Sequence, residues 1–418
     1  MLEAFDPYVC ELEELARTRR PEEGADFSCH LDGEAGRRLR NVVSIDELRR
    51  VGAFFTGEVH AAKLLRLIPD SVDCFTDPAC GCGDLLLSAS ARLQVVPSLE
   101  ATLRSWNQRL RGRDLVPEFV RAARARLVLA AISRGAYPTE GHTEPADLLD
   151  SIAVGDGLEL PLRAGTAVLL NPPYGLVEAP VDCAWTAGQT TAAAVFLDAL
   201  LEACPTSVHI AAVLPEVLRA GSRYSRFRAA VEKRLLISDA KPAGIFDALT
   251  DVDVFLLAGK TQDVSAKKSP FRWFPPAPPK RLEEVGEVRV GAVVANRDPH
   301  LGPWRLYIDA RDVGGASVFR PQRHRRFKGT VVEPPFVVVG RTNRFNGGDS
   351  PRIRATIVIA DRPVAVENHL ITLVPNRHTE AGCREIVKII ESQDASEFLD
   401  ERLRCRHLTV CALREVPR

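Results

Sequence analysis

The chain reads as a doubly wound α/β protein followed by a smaller α+β domain, and three observations carry that reading. Between about residues 70 and 259 short apolar runs alternate with helical patterns, the arrangement of a parallel sheet covered on both faces. Thr261 to Lys280, with Lys267-Lys-Ser-Pro270 and Pro275-Pro-Ala-Pro-Pro279, can hold neither a helix nor a central strand. Beyond it the pattern turns β-rich and closes with one amphipathic helix. These shifts divide the 418 residues into a helical N-terminal segment (1–50), an α/β domain (51–262), a linker (263–280) and a second domain (281–418).

Taken in order, Glu11 to Arg19 is helical and polar on most faces, and Ser44-Ile-Asp-Glu47 has the spacing of a capping box. The expected strands of the α/β domain are Ser71 to Asp77, Arg109 to Asp114, Ala167 to Leu170, Val208 to Leu214, Leu235 to Ala240 and Val252 to Ala258. Helices are expected over Gly83 to Gln94, Pro117 to Ser133 and Thr191 to Ala203. In the second domain the expected strands are Val288 to Ala295, Val331 to Arg341, Arg354 to Ala360 and His369 to Val374, before the helix Glu380 to Ser392.

Composition narrows the function classes. Lys+Arg and Asp+Glu balance at 55 each, so attraction to a polyanion must come from local asymmetry. No apolar run approaches the roughly 20 residues that span a bilayer, and Glu3 and Asp6 stand where a secretory leader is basic. A cytoplasmic location is expected. The ten cysteines form no paired framework, which suits reduced thiols, and Cys80-Gly-Cys82 lacks a second pair at zinc-site spacing, so no metal is expected.

The chemistry concentrates at strand ends. Ala167-Val-Leu-Leu170 runs into Asn171-Pro172-Pro173-Tyr174, and the prolines stop the strand and project the groups that follow it. The Asn171 side-chain oxygen and the Pro172 carbonyl could together accept both protons of a planar amino group lying on the Tyr174 ring, although a proline-rich turn explains the tetrapeptide by itself. Phe75-Thr-Asp77-Pro-Ala79-Cys80-Gly81-Cys-Gly83-Asp84 is a strand, a small-residue loop and a helix start. Glycines at 81 and 83 would let the backbone approach a ligand, and Asp77 can accept hydrogen bonds from it. Asp114 closes the second strand, where nucleotide-binding folds place an acid against ribose hydroxyls. Asp156, in Val154-Gly-Asp-Gly157, could accept an adenine amino group.

The order of these elements resembles the gamma class of N6-adenine DNA methyltransferases, the group containing modification subunits of type I systems and fused type II enzymes. The likeness covers residues 50 to 260 well and the C-terminal part more loosely. Gly52-Ala-Phe-Phe-Thr56-Gly57-Glu-Val59 is similar to the segment that contacts the methionine part of S-adenosylmethionine, with Thr56 as the contact. Asp77 to Asp84 matches the cofactor loop (Asp77, Ala79, Cys80, Gly81, Gly83), Asp114 the ribose acid, Asp156 the adenine-binding acid and Asn171 to Tyr174 the catalytic motif. Phe196 matches a further weak element. The class often has proline where Gly57 stands and an aromatic or apolar residue where Gly157 stands, which leaves Leu115 or Leu158 to contact the cofactor's adenine. The resemblance implies a Rossmann-like S-adenosylmethionine-dependent methyltransferase sheet with a C-terminal target-recognition domain. It also implies a flipped adenine held between Tyr174 and Phe246, with Asn171 and the Pro172 carbonyl localising the amine's lone pair.

Double-stranded DNA is then the expected partner, together with a specificity or nuclease subunit, because no nuclease motif is found. Arg320-Pro-Gln-Arg323-His-Arg325-Arg326-Phe-Lys328 is the densest positive run and suits phosphate. Arg341, Asn343, Arg344 and Asn346 are the residue types that read guanine and adenine edges. A methylase of RNA or of a protein glutamine amide, or a DNA-binding subunit that keeps only the scaffold, stay open as alternatives.

Overall fold

The computed structural model describes residues 2–18, 27–44, 47–48, 54–138, 144–246, 252–265, 270–313, 317–342, 351–403 and 408–418. It divides into two compact units, Met1–Phe271 and Arg272–Arg418.

The first unit is built on a seven-stranded sheet: β1 (Phe75–Asp77), β2 (Leu110–Asp114), β3 (Ile152–Val154), β4 (Ala167–Leu170), β7 (His209–Pro215), β8 (Leu235–Ile245) and β9 (Asp253–Thr261), in the order β3-β2-β1-β4-β7-β9-β8. A two-stranded hairpin, β5 (Leu176–Glu178) and β6 (Gln189–Thr191), stands apart from it. Ala167–Leu170 is wholly buried, as an apolar run in the middle of a two-sided sheet must be. The expected all-parallel sheet is corrected at one edge. β9 lies antiparallel between β7 and β8, because β8 and β9 are joined so tightly that the Phe246 N–H donates to the Val252 carbonyl at 2.8 Å, and a connection that short permits only antiparallel neighbours.

Helices α1 (Asp6–Thr18), α2 (Glu34–Val42), α3 (Gly57–Leu65), α4 (Asp84–Ser90), α5 (Leu99–Asn107), α6 (Pro117–Ser133), α7 (Ala192–Ala203), α8 (Glu216–Ala220) and α9 (Ser225–Arg234) complete the unit. α6 starts with proline in its first turn, where no donor is lost, and is buried nearly all round. α1 buries Val9, Leu12 and Ala16, a stripe at helical spacing, and packs on α6. There Arg121 donates to Asp6 at 2.6 Å and to Glu13 at 2.6 Å, so the N-terminal segment is part of this unit. Sequence patterning missed β3, α5 and the β5–β6 hairpin. A three-residue strand such as Ile152–Val154 carries too little periodicity to register.

The second unit pairs β10 (Gly286–Val290), β12 (Val318–Phe319), β14 (Phe336–Gly340), β15 (Ala355–Val358) and β17 (Leu370–Pro375) in the order β10-β17-β14-β15-β12. α10 (Glu380–Ile390) lays Cys383, Ile386 and Ile390 inward; α11 (Gln393–Arg402) and α12 (Val410–Arg414) follow. A separate three-stranded sheet joins β11 (Trp304–Ile308), β13 (His324–Arg326) and β16 (Val364–Val366).

Candidate functional site

A cavity of about 350 Å³ opens at the carboxyl ends of β1, β2 and β4. The strand order reverses direction between β1 and β4, and in doubly wound sheets that crevice is where ligands lodge. Thr56, Asp77, Ala79, Cys80, Gly81, Asp114, Asp156 and Asn171 all line it, as does Phe196. Of the two leucines proposed for the adenine contact, Leu115 lines the cavity while 73 % exposed, and Leu158 does not line it.

Asp77 stands at the tip of β1, 1 % exposed, and its Oδ1 accepts the Ala79 N–H at 3.1 Å. Burial pushes its carboxyl up to about 8, with the Ala79 N–H opposing and the nearby Asp114 and Asp84 adding to the rise. The Asp114 carboxylate, also raised by burial, accepts the Gly81 N–H at 2.9 Å and the Val116 N–H at 2.9 Å. It therefore ties the glycine loop to the end of β2, and acceptor capacity beyond these bonds faces the cavity. Asp156 is exposed at the rim and caps a short turn by accepting the Leu158 N–H at 2.9 Å.

Three glycines explain the loop. Gly81 has φ +49°, and an added Cβ would lie 3.0 Å from the Phe55 ring, which itself meets Phe119 edge-on at 5.0 Å. At Gly157 a Cβ would fall 1.7 Å from the Pro78 carbonyl oxygen. That contact accounts for the departure from an aromatic or apolar residue at this position. Gly83 is corrected. It does not line the cavity; at φ +85° its missing Cβ admits Ala123 of α6 at 2.9 Å, so it serves helix packing rather than ligand approach.

The Asn171 Nδ2 donates to the Phe54 carbonyl at 2.9 Å, which orients the amide and turns Oδ1 the other way. Oδ1 is buried and accepts no hydrogen bond among the described residues. A buried acceptor without a donor is uncommon, and this one belongs to a residue of the cavity wall. Pro172 is buried and does not line the cavity, whereas Pro173 does.

Tyr174 and Phe246 also lie outside the cavity lining. The Tyr174 hydroxyl donates to the Val213 carbonyl at 3.2 Å. Its ring meets Phe246 at 5.7 Å between centroids and 67° between planes, and Phe246 is in turn 5.6 Å from His60. The expected pair of parallel faces around a base is therefore not formed. The rings bury each other edge-to-face, which their quadrupoles favour.

Sequence reading missed the scaffold beneath the site. Arg126, wholly buried in α6, pairs with Asp84 at 2.8 Å and also donates to the Cys82 carbonyl at 2.5 Å and the His30 carbonyl at 2.8 Å. The other Asp84 oxygen accepts the Gly57 N–H at 2.7 Å. One guanidinium thus joins the glycine loop, the start of α4 and the Thr56 segment. Its surroundings in sequence, Arg121-Ala-Ala-Arg124-Ala-Arg126, offer no signal that singles it out.

The basic run of the second unit is redistributed. Arg323 pairs with Asp309 at 2.8 Å and with Asp312, which hold its guanidinium more firmly protonated. Arg325 is buried and donates to the Asp298 carbonyl at 2.7 Å. Arg325 is corrected from a phosphate ligand to a structural residue, since alternate positions of a strand face inward, while Arg323 is half-exposed with its guanidinium engaged by two carboxylates. Arg320, Arg326 and Lys328 are exposed and make no ion pair among the described residues. Arg341 donates to the Asn368 carbonyl at 3.1 Å. Asn343, Arg344 and Asn346 lie outside the described residues.

Among the described residues no group of three or more His, Cys, Asp and Glu is placed to hold a metal ion, and no helix is long and apolar enough to cross a membrane.

No family model matches the chain, and no curated protein matches it in sequence. Among solved structures, the Type IIL restriction-modification enzyme MmeI in complex with DNA superposes with a TM-score of 0.53 at 11 % identity, over 91 % of this chain and 70 % of that one. The chain has a Rossmann-like α/β fold. A structure from Listeria monocytogenes assigned to the class I S-adenosylmethionine-dependent methyltransferases gives a TM-score of 0.42 at 14 % identity, over 64 % of this chain and 85 % of that one. The type IIG restriction endonuclease BpuSI gives 0.38 at 14 % identity, over 90 % of this chain and 56 % of that one. The chain spans about half the length of several restriction-modification proteins that it matches.

The buried Asp77 sets a pH dependence. Its folded-state value of about 8 lies above the roughly 3.9 of an unfolded aspartate. The stability it contributes is therefore fully present below about pH 4 and is lost as pH rises through about 8, because the folded state binds the proton more tightly. Asp77→Asn is expected to flatten this decline by a few kcal/mol between pH 5 and pH 9, measured as urea midpoints of the cofactor-free protein. Parallel pH profiles for variant and wild type would rule the assignment out.

Proposed function

We propose that the chain is an S-adenosylmethionine-dependent methyltransferase acting on the N6 amino group of adenine in double-stranded DNA, in a restriction-modification setting of the gamma class. The observation that carries this reading is the orphaned Oδ1 of Asn171, a buried acceptor at the wall of a nucleoside-sized cavity. The cavity falls within the range of small-molecule sites, roughly 300–1,000 Å³. Its residues suit the cofactor: Asp114 for ribose hydroxyls, Asp156 for an adenine amine at the rim, Leu115 and Phe196 for the adenine faces, and Thr56 and Asp77 for the amino-acid portion. When bound, the sulfonium supplies an activated methyl group.

The chain's own residues then have defined tasks. Asn171 Oδ1 accepts one proton of the adenine amine and the Pro172 carbonyl the other, which localises the nitrogen lone pair without a general base; the departing proton leaves to water. Tyr174 offers a face for the flipped base, and Phe246 must turn from its edge-on contact with Tyr174 to supply the second. Arg320, Arg326 and Lys328 neutralise phosphate. A specificity or nuclease subunit would supply whatever recognition or cleavage this chain lacks.

Incubation of the purified protein with unmethylated bacterial DNA and labelled S-adenosylmethionine should yield N6-methyldeoxyadenosine on nucleoside analysis by mass spectrometry. Label on the ribonucleoside or on protein glutamine would transfer the same amine-holding chemistry to another substrate.

A further inference from the structure

One exposed aromatic takes no part in the candidate site. Trp304, at the start of β11, is 67 % exposed, whereas Trp106, Trp185 and Trp273 are at most 7 % exposed, and these are all four tryptophans of the chain. Leaving so large an apolar ring in water is costly. Its setting on the β11–β13 ladder indicates what covers it. Trp304 stands directly opposite Arg326 in antiparallel register, and opposed residues share a face of the sheet. His324, Arg326 and Lys328 are exposed, while Arg325 and Phe327 between them are buried. His324 and Arg326 therefore project outward about 6.8 Å apart, in a row that Lys328 extends just past the end of β13. The Lys328 backbone is held beside the tryptophan's own loop: the Phe327 N–H donates to the Pro303 carbonyl at 3.1 Å, and a Cβ on Gly302 would lie 2.8 Å from the Lys328 backbone nitrogen.

The nearby acids do not cancel this row. Asp309 is held by Arg311 and Arg323, and Asp312 by Arg323. An apolar protein partner would have to bury Arg326 and Lys328 without counter-charges. A polyanion with flat apolar faces would not. We propose that Trp304 with Arg326 and Lys328 forms a nucleic-acid contact in which the cations hold successive phosphates of one strand and the indole stacks on a base. This rests on the reading of the chain as a DNA enzyme and names the surface that grips the strand.

Because Trp304 alone among the tryptophans is open to solvent, the full-length protein reports on this contact directly. Titration with duplex DNA, and separately with the same sequence as a single strand, should quench the intrinsic fluorescence and protect it from acrylamide, with an affinity that falls as salt rises. Trp304→Ala should weaken binding about tenfold or more, the range of one lost base stack. Arg326→Ala should reduce the slope of log affinity against log salt by about one. Trp304→Phe, which keeps a stacking face, should recover most of the affinity, and unchanged thermal midpoints would exclude misfolding. A complex visible by electrophoresis in which Trp304 stays fully open to acrylamide overturns this contact and leaves the DNA reading standing. Absence of any complex overturns both. Self-association abolished by Trp304→Ala assigns the ring to a second copy and overturns the proposal.

Discussion

Asn171→Ala is expected to lower methyl transfer by about 100- to 1,000-fold, the cost of removing one preorganised polar group that acts mainly in the transition state. The cofactor dissociation constant should change far less, because Asp77, Asp114 and Thr56 remain in the cavity wall. Asn171→Asp separates the two halves of the amide. It keeps an acceptor but loses the donor to the Phe54 carbonyl and places two acceptors against each other, so it should remain well below wild type. Single-turnover rates with excess enzyme, beside calorimetric titration of the cofactor, would measure both effects. Retained turnover in the alanine variant would show that the amine is gripped elsewhere.

Arg126→Met should have the largest effect on stability. It leaves the Asp84 carboxylate buried without its cation and strips the Cys82 and His30 carbonyls of a donor. Breaking one side of a buried pair costs about 3–5 kcal/mol, which for a unit of this size is a fall in Tm on the order of 10 °C. Since Asp84 also holds the Gly57 N–H, cofactor affinity should drop with it. The double variant Arg126→Met/Asp84→Leu should recover part of the stability, because removing both partners leaves no uncompensated charge. An unchanged denaturation midpoint in the single variant would show that the pair contributes nothing.

Asn171, Asp77 and Asp114 were legible because each ends a strand, and the parallel strands of a doubly wound sheet deliver their carboxyl ends to one crevice. Linear order along the chain therefore encoded proximity. The Pro-Pro pair marked the strand's end, and small residues at 79–83 marked the tight loop. Arg126 was illegible for the opposite reason. Three arginines share that helix, and what separates a surface cation from a buried one is the set of carbonyls contributed by residues 40 to 100 positions away. The same holds in the second unit, where Arg323 and Arg325 look like phosphate ligands until Asp309 and Asp312 close on the first and the sheet buries the second.

The sequence by itself determined the alternating α/β architecture, the break near residue 270 and the chemical groups placed at the strand tips, since hydrophobic period and proline chemistry act within a few residues. Only the tertiary structure decided that Gly83 faces Ala123 and Gly157 faces Pro78, that β9 enters the sheet antiparallel, that Tyr174 and Phe246 close on each other, and that the Asn171 oxygen is left without a donor. Each of these depends on which distant atoms arrive at van der Waals or hydrogen-bonding distance, and close packing settles that only when the whole chain has folded.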